Sequence, residues 1–229
     1  RAWFGGALER AATDLTLSAA APAATRAAAG RAAAEGFVCL KVKVGTGPAR
    51  DLARALAADS SGRRAGRRPP LILDGNQRLG RSGSLALTEA CLARGLRVVL
   101  LEQPVPAADL AGLAWVTRRC PVPVAADESV QGPQDARRVL ECGAAGVLNV
   151  KTAKMGLLGA LETIAVARAA RAPLMVGCMQ ESALGLSPSV GLALGTGAFS
   201  FIDLDSDWLL EPGQPAGSFA RNGPWLSAP

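Results

Sequence analysis

Apolar positions along the chain fall into short runs of four to six residues, and each run ends on a polar side chain. Val147-Leu148-Asn149-Val150-Lys151 ends on a lysine, Leu71-Ile72-Leu73-Asp74 and Pro123-Val124-Ala125-Ala126-Asp127 on aspartates, and Val98-Val99-Leu100-Leu101-Glu102 on a glutamate. Val38-Cys39-Leu40-Lys41-Val42-Lys43 ends on two lysines. Runs of this length read as buried strands. Between them lie Ala- and Leu-rich stretches of helical length, several closed by glycine, as at Gly36, Gly95 and Gly143. The polar ends fall at 43, 74, 102, 127 and 151, spacings close to one βα unit of about 30 residues. Regular strand–helix alternation predicts a parallel sheet with right-handed crossovers.

Strands are predicted at 13–18, 37–44, 71–74, 96–101, 123–127, 146–151, 173–178 and 201–205. Helices are predicted at 25–35, 48–58, 85–93, 109–119, 134–141 and 157–170, with a last one at 182–194 that Pro188 interrupts. Eight such units close into an α/β barrel of the (β/α)₈, TIM type, in which the strand tips converge at one mouth. An open doubly wound sheet is the alternative, but neither GxGxxG nor a P-loop follows a strand. The barrel is expected over 13–207. Residues 1–12, with Trp3-Phe4-Gly5-Gly6, are expected to be a linker or the remnant of a preceding domain, and 208–229, rich in Pro and Gly, an irregular tail.

Composition narrows the chemistry. Histidine and tyrosine are absent, which removes His general bases, Ser-His-Asp and Cys-His nucleophiles, and His-ligated zinc. Proton transfer near neutral pH then falls to Lys, Asp, Glu or Cys. Five cysteines without a CxxC pair argue for free thiols, a reducing compartment and a cytoplasmic location. No apolar run reaches the roughly 18 residues of a spanning helix. Much of the +6 net charge sits in Gly62-Arg63-Arg64-Ala65-Gly66-Arg67-Arg68, without interleaved aromatics. It reads as a solvated loop rather than a nucleic-acid surface.

Asp74, Glu102 and Asp127 end three successive strands, which lie about 4.8 Å apart. Three converging carboxylates repel one another unless a cation joins them, and all-oxygen ligation suits Mg²⁺. Lys41 and Lys43 are two apart and share a strand face, with Lys151 across the barrel. Burial, neighbouring cations and a metal are expected to depress a lysine pKa towards the working range, so that a lysine on each face of a substrate could pass a proton through it.

The set Lys41-Val42-Lys43, Asp74-Gly75-Asn76, Glu102-Gln103-Pro104, Asp127-Glu128-Ser129 and Asn149-Val150-Lys151 resembles the ordered motifs of the enolase superfamily, and more narrowly its muconate-lactonizing branch. The resemblance runs from Thr13 to Asp205. It implies Lys43 and Lys151 as the acid/base pair, Asp74, Glu102 and Asp127 as Mg²⁺ ligands, and Lys41, Asn76, Glu128 and Asn149 as supports. Lysine bases with Mg²⁺ stabilising an ene-diolate are characteristic of the sites it resembles. It also implies an N-terminal α+β capping domain, largely absent from this chain. After Lys154 stands Met155-Gly156 where a Gly-Gly is usual, which affects the local loop.

Asp203 and Asp205 share a face of the last strand and form an acidic wall suited to a substrate ammonium. An Asp-x-Asp there, with Cys178-Met179-Gln180-Glu181-Ser182 after the seventh strand, resembles the dipeptide epimerases, so Asp203, Asp205, Cys178 and Met179 are expected to contact substrate. The expected reaction is Mg²⁺-dependent epimerisation of a dipeptide of the L-Ala-D/L-Glu kind. The alternatives are an o-succinylbenzoate synthase, N-succinylamino acid racemase or muconate cycloisomerase, or a non-catalytic metal-binding barrel. The expected partner is a small molecule, not nucleic acid or membrane, with homo-oligomerisation left open.

Overall fold

The computed structural model describes residues 2–64, 66–211 and 213–228. Arg1, Ala65, Pro212 and Pro229, which belong to the expected linker, basic loop and tail, lie outside the described residues. After a 3₁₀ turn (Ala2–Phe4) and the short strand β1 (Arg10–Ala12), eight parallel strands pair in chain order. They are β2 (Leu15–Leu17), β3 (Leu40–Lys43), β4 (Pro70–Asp74), β5 (Arg97–Glu102), β6 (Val124–Ala126), β7 (Val147–Val150), β8 (Leu174–Val176) and β9 (Phe199–Ile202). Each is followed by a helix: α1 (Pro22–Ala34), α2 (Pro48–Ser61), α3 (Gly80–Ala93), α4 (Leu110–Thr117), α5 (Pro133–Glu141), α6 (Thr152–Ala169), α7 (Ala183–Thr196) and the four-residue α8 (Ser206–Leu209). This is the barrel expected from the alternation.

Side chains alternate across each strand. Outward residues such as Leu40, Val42, Leu71, Leu73, Leu101 and Leu148 join the helices in the main core. Inward residues form a separate cluster of Ile72, Leu100, Ala125, Val147 and Met175, with Phe201 against it. Two residues further along the same strands come Asp74, Glu102, Asp127, Asn149, Gly177 and Asp203. The interior is therefore an apolar plug topped by a polar layer, and the strand period of two carries one into the other.

The ring closes between β2 and β9 with little regular pairing. Asp14 N donates to Ile202 O (2.9 Å), and the Thr13 hydroxyl accepts from Leu204 N (2.8 Å) while lying 3.3 Å from Ile202 O. Side chains thus satisfy backbone groups that a ladder would otherwise pair.

Two expectations are corrected. The tail is not irregular throughout: β10 (Ala220–Asn222) and β11 (Trp225–Ser227) form a hairpin, and β11 pairs with β1 in an antiparallel three-stranded sheet. Burial of Leu226 against Ala11, Leu204 and the α7 residues Leu186 and Val190 drives it, and Arg10 stacks on Trp225 at 4.3 Å. Nor does Pro188 interrupt α7. The proline removes a bond to the Leu184 carbonyl, and Leu184 is 58% exposed, so water can serve that oxygen. Helix α6 starts five residues earlier than expected, with a break at Gly156 (φ 66°, ψ 174°). The departure at Met155-Gly156 therefore marks a local hinge of geometry between the turn carrying Lys154 and the body of the helix.

In the basic loop, Arg63 and Arg68 pair with Asp59 (3.0 and 2.8 Å) and Arg64 donates to Gly36 O. Among the described residues no helix is long and apolar enough to cross a membrane.

Replacing Thr13 by Val keeps its shape but strands the Leu204 amide at the seam. The expected loss of stability is about 1–3 kcal/mol, read as a lower urea midpoint. An unchanged midpoint would show that the seam does not depend on this hydroxyl.

Candidate functional site

The polar layer opens into a cavity of about 470 Å³ lined by Thr16, Lys41, Lys43, Asp127, Lys151 and Lys154, and beyond them by the wall of Cys178, Met179, Asp203 and Asp205, with Asn76 and Glu128 at its rim. A larger groove of about 810 Å³ lies on the outside between α5 and α6 and contains none of these groups. Asp74, Glu102 and Asn149 lie just beneath the cavity, buried to 1% or less exposure.

Strand order sets the layout. Counting round the ring, Lys43 stands on the second strand and Lys151 at the end of the sixth, four apart in eight and hence on opposite sides. The carboxylates of Asp74, Glu102 and Asp127 occupy the third, fourth and fifth strand ends, with Asp74 and Glu102 in register. The wall of Cys178, Asp203, Asp205 and Thr16 fills the arc facing them. Asp203 and Asp205 follow the end of β9 rather than lying within it, yet both are buried.

Lys41 is the hub. Its ammonium lies 2.7 Å from Asp203 Oδ2, 2.8 Å from Glu102 Oε2 and 3.1 Å from Asp74 Oδ2. Lys43 donates to Asp74 Oδ2 at 2.6 Å and keeps 30% of its side chain exposed. Lys151 donates to Asp127 Oδ2 at 2.7 Å. Asn149 donates to Glu102 Oε1 at 2.6 Å. The Asn76 amide donates to Asp74 Oδ1 at 3.0 Å, and its side chain reaches Glu128 at 3.4 Å. Lys41, Asn76 and Asn149 thus contact Asp74 or Glu102, and Glu128 contacts Asn76.

The electrostatics correct one expectation. Burial does work against the charge on Lys41 and Lys151, but nearby carboxylates outweigh it. Asp203, Asp74 and Glu102 hold Lys41 well above its ordinary pKa, and Asp127 foremost does the same for Lys151. The lysine brought down is Lys154, by burial that Asp127 only partly offsets. On the acid side, burial would raise Asp127 and Asp74, but their lysines hold both below the usual range. Burial, with Asp74 and Asp127 adding to it, pushes Glu102 up to about 7. Burial and Asp203 push Asp205 up to about 6.

The carboxylate atoms of Asp74, Glu102 and Asp127 are turned onto lysines. Among the described residues, the three potential ligands with atoms all within 4.8 Å of one another are instead Cys178, Asp203 and Asp205.

Four residues here were not singled out from the sequence. Lys154 donates to Asp127 Oδ1 and Asp127 O, both at 2.7 Å; its place three residues after Lys151, one helical turn on, was the available signal. Gln103 accepts from Asp127 N (2.8 Å) and donates to Ser129 Oγ (2.9 Å), its backbone held at φ 33°. Gly177 leaves room for its neighbours: a Cβ there would lie 2.7 Å from Lys151 Cε and Asn149 Oδ1. The fourth is Asp14, buried in the seam with no donor on either oxygen.

Comparison with known proteins adds to this geometry. The family model described as enolase C-terminal domain-like matches residues 23–219. A protein of Herpetosiphon aurantiacus described as an aromatic dipeptide epimerase is 40% identical over 222 residues, covering 96% of this chain and 61% of the relative. The substrate-liganded L-Ala-D/L-Glu epimerase of Bacillus subtilis superposes with a TM-score of 0.94 at 33% identity, covering 100% of this chain and 63% of that one. A dipeptide epimerase of Enterococcus faecalis V583, solved with Mg and the dipeptide L-Leu-L-Tyr, superposes with a TM-score of 0.89 at 29% identity, covering 100% and 64%. The chain thus spans less than two thirds of the length of these relatives.

Glu102 makes a testable contribution to stability. Its folded pKa is raised from 4.5 to about 7, so the folded state binds the proton more tightly. The stability this gives is complete below about 4.5 and lost as pH rises through about 7; Asp205 acts in the same direction. In chelator, the melting temperature should fall between pH 5 and pH 8, and Glu102→Gln should flatten that fall. An identical slope in the variant would remove Glu102 as its source.

Proposed function

The chain belongs to the enolase C-terminal domain-like family, and from that premise we propose that it epimerises the α-carbon of a dipeptide with a free amino terminus, with Mg²⁺ as cofactor. The observation that carries this reading is the fourfold layout of the mouth. Two lysines oppose each other across the ring, a carboxylate arc lies to one side between them, and an acidic wall faces that arc.

The carboxylate arc fits a hard divalent ion. Its donors are all oxygens. Glu102 Oε2 is buried without an aligned hydrogen bond, although Lys41 is near it. Burial and the neighbouring Asp74 and Asp127 together raise Glu102, and a divalent cation would offset both effects. Asp74, Glu102 and Asp127 would hold it, and when bound it neutralises the negative charge that grows on a substrate carboxylate as the α-proton leaves.

The chain's own groups do the rest. Lys43 faces one side of the α-carbon and Lys151 the other. One takes the proton in its neutral form, and the other, protonated, returns a proton to the opposite face of the planar carbanion. The roles exchange with the direction of reaction. The missing side chain at Gly177 leaves the path of the Lys151 side chain open. Asp203 and Asp205, with Cys178 and Met179 beside them, present negative charge to the substrate's ammonium. The dipeptides named for the Bacillus and Enterococcus enzymes are of this kind.

The test uses full-length protein in D₂O with Mg²⁺ and proton NMR of each epimer. Lys151→Ala should stop epimerisation in both directions but still exchange the α-proton of one stereoisomer, and Lys43→Ala that of the other. Each lost transfer should cost about 10²–10⁴-fold. Exchange of the same stereoisomer in both variants would reject the two-base arrangement. Turnover of N-succinyl amino acids with no free dipeptide would replace the epimerase reading by that of an N-succinylamino acid racemase or o-succinylbenzoate synthase.

For the metal, Asp74→Ala, Glu102→Ala and Asp127→Ala should each weaken Mg²⁺ binding in calorimetric titration and abolish turnover. Isotherms unchanged from the parent in all three would refute the ligand set.

A further inference from the structure

Asp14 sits in the polar layer at the seam, two residues before Thr16 on the same inward face of the chain, and is 2% exposed. Neither of its oxygens meets a donor. The donors around it are already used. The Lys41 ammonium has three N–H groups and lies against three carboxylates, those of Asp203, Glu102 and Asp74. The Thr16 amide donates to Asp205 Oδ2, and the Thr16 hydroxyl lies 3.4 Å from Asp203 Oδ1. The Thr13 hydroxyl serves Ile202 O and Leu204 N.

The Asp14 amide donates to Ile202 O (2.9 Å), which sets its side chain beside that of Asp203, itself an acceptor. Two carboxylates cannot bond each other unless one keeps its proton. Asp203 accepts directly from Lys41 and lies 3.4 Å from the Thr16 hydroxyl, whereas no donor reaches Asp14. The proton therefore belongs to Asp14. The groups facing it agree: Asp203 and Asp205 after β9 oppose its ionisation, and Lys41 on β3 favours it, with the Cys39 thiol also close. Burial is the largest effect and, with the two aspartates, holds the Asp14 carboxyl well above the usual carboxylate range.

We propose that Asp14 is a positioning residue for the substrate's ammonium: a carboxylic acid that keeps its proton inside the seam and donates it to Asp203. Asp203 is then held from three sides, by Lys41, Thr16 and Asp14, and presents its remaining lone pairs towards Asp205 and Cys178. The proton also keeps Asp14 from adding a further negative charge to the wall. Three ionised carboxylates there would repeat the composition of the opposite arc and favour a second hard divalent ion. Two suit an organic monocation. The ammonium part of this proposal rests on the dipeptide reading above.

Infrared spectroscopy reads the proton directly. Mg²⁺-loaded protein with carboxyl-¹³C aspartate, at pH 7 in D₂O, should show the C=O stretch of a protonated aspartic acid, and Asp14→Asn should lack it. Its absence from the parent, or persistence in the variant, would overturn the proposal. Kinetics read the positioning. Asp14→Ala should raise KM for a free-amino dipeptide about 10- to 100-fold, the value of one hydrogen bond to a charged group, with kcat changing far less. Asp14→Asn, which keeps an N–H towards Asp203, should recover most of that loss. Equal KM in the two variants, or a loss confined to kcat, would reject the positioning role. A parent that turns over no free-amino dipeptide yet keeps the infrared band would mean that the epimerase reading has failed; the proton would stand, and its link to an ammonium would fall.

Discussion

The buried ammonium of Lys41 is the interaction on which the rest of the mouth depends. Its three donors meet carboxylates from β4, from β5 and from beyond β9, so a single charge ties the metal-type arc to the acidic wall across the middle of the ring. None of those carboxylates is exposed enough for water to replace the lysine. Taking one partner from a buried ion pair typically costs about 3–5 kcal/mol because the remaining charge is stranded, and here three would be stranded together. The arrangement persists because the ring of backbone beneath it is rigid and its apolar plug is closely packed.

That plug explains why so many ionised groups can share one small volume. Ile72, Leu100, Ala125, Val147 and Met175 fill the barrel below, and each of their strands delivers its next inward residue to the same level. The charged groups need no flexible loop to find one another. Loops enter only where the backbone must turn sharply above the strands, as at Asn76 (φ 37°), Gln77 (φ 70°) and Gln103 (φ 33°). The Asn76 amide and the Gln103 side chain are spent on fixing Asp74 and Asp127. Left-handed backbone at non-glycine residues is costly, and here it sits beside the chemistry.

Much of this was legible in the residues. Apolar runs with polar ends gave the strand order, and strand order alone set Lys43 against Lys151. What could not be read was anything that depends on how charges pair once folded. Lysine crowding suggested lowered pKa values, but carboxylates lie 2.7–3.1 Å from the Lys41 and Lys151 ammonium groups and hold both up. Asp14 lies in Thr13-Asp14-Leu15-Thr16, an alternation that fits a strand with one wet face equally well; only ring closure makes that face interior. The tail strands are three residues long and interrupted by Gly223-Pro224, too short for periodicity to register, and they exist because Leu226 finds a cleft on α7. Pro188 looked like a stop because its cost was counted without the solvent that serves the freed carbonyl.

The two aspartates of the acidic wall differ in what else they hold. Asp203 is bound to Lys41 and so to the groups that would carry the chemistry. Asp205 is bound to the Thr16 amide and lies near Cys178, on the far side from the metal-type arc, and Met179 is 54% exposed. A lineage that drifts towards new ligands can therefore trade Cys178 and Met179 at small cost to the fold, and Asp205 at the cost of the Thr16 amide it satisfies. A change at Asp203 removes one of the three carboxylates that balance the buried Lys41 ammonium, and so bears on Asp74 and Glu102 as well. Divergence in this barrel is channelled: the outer half of the wall can be rewritten residue by residue, while the inner half moves only through coupled replacements.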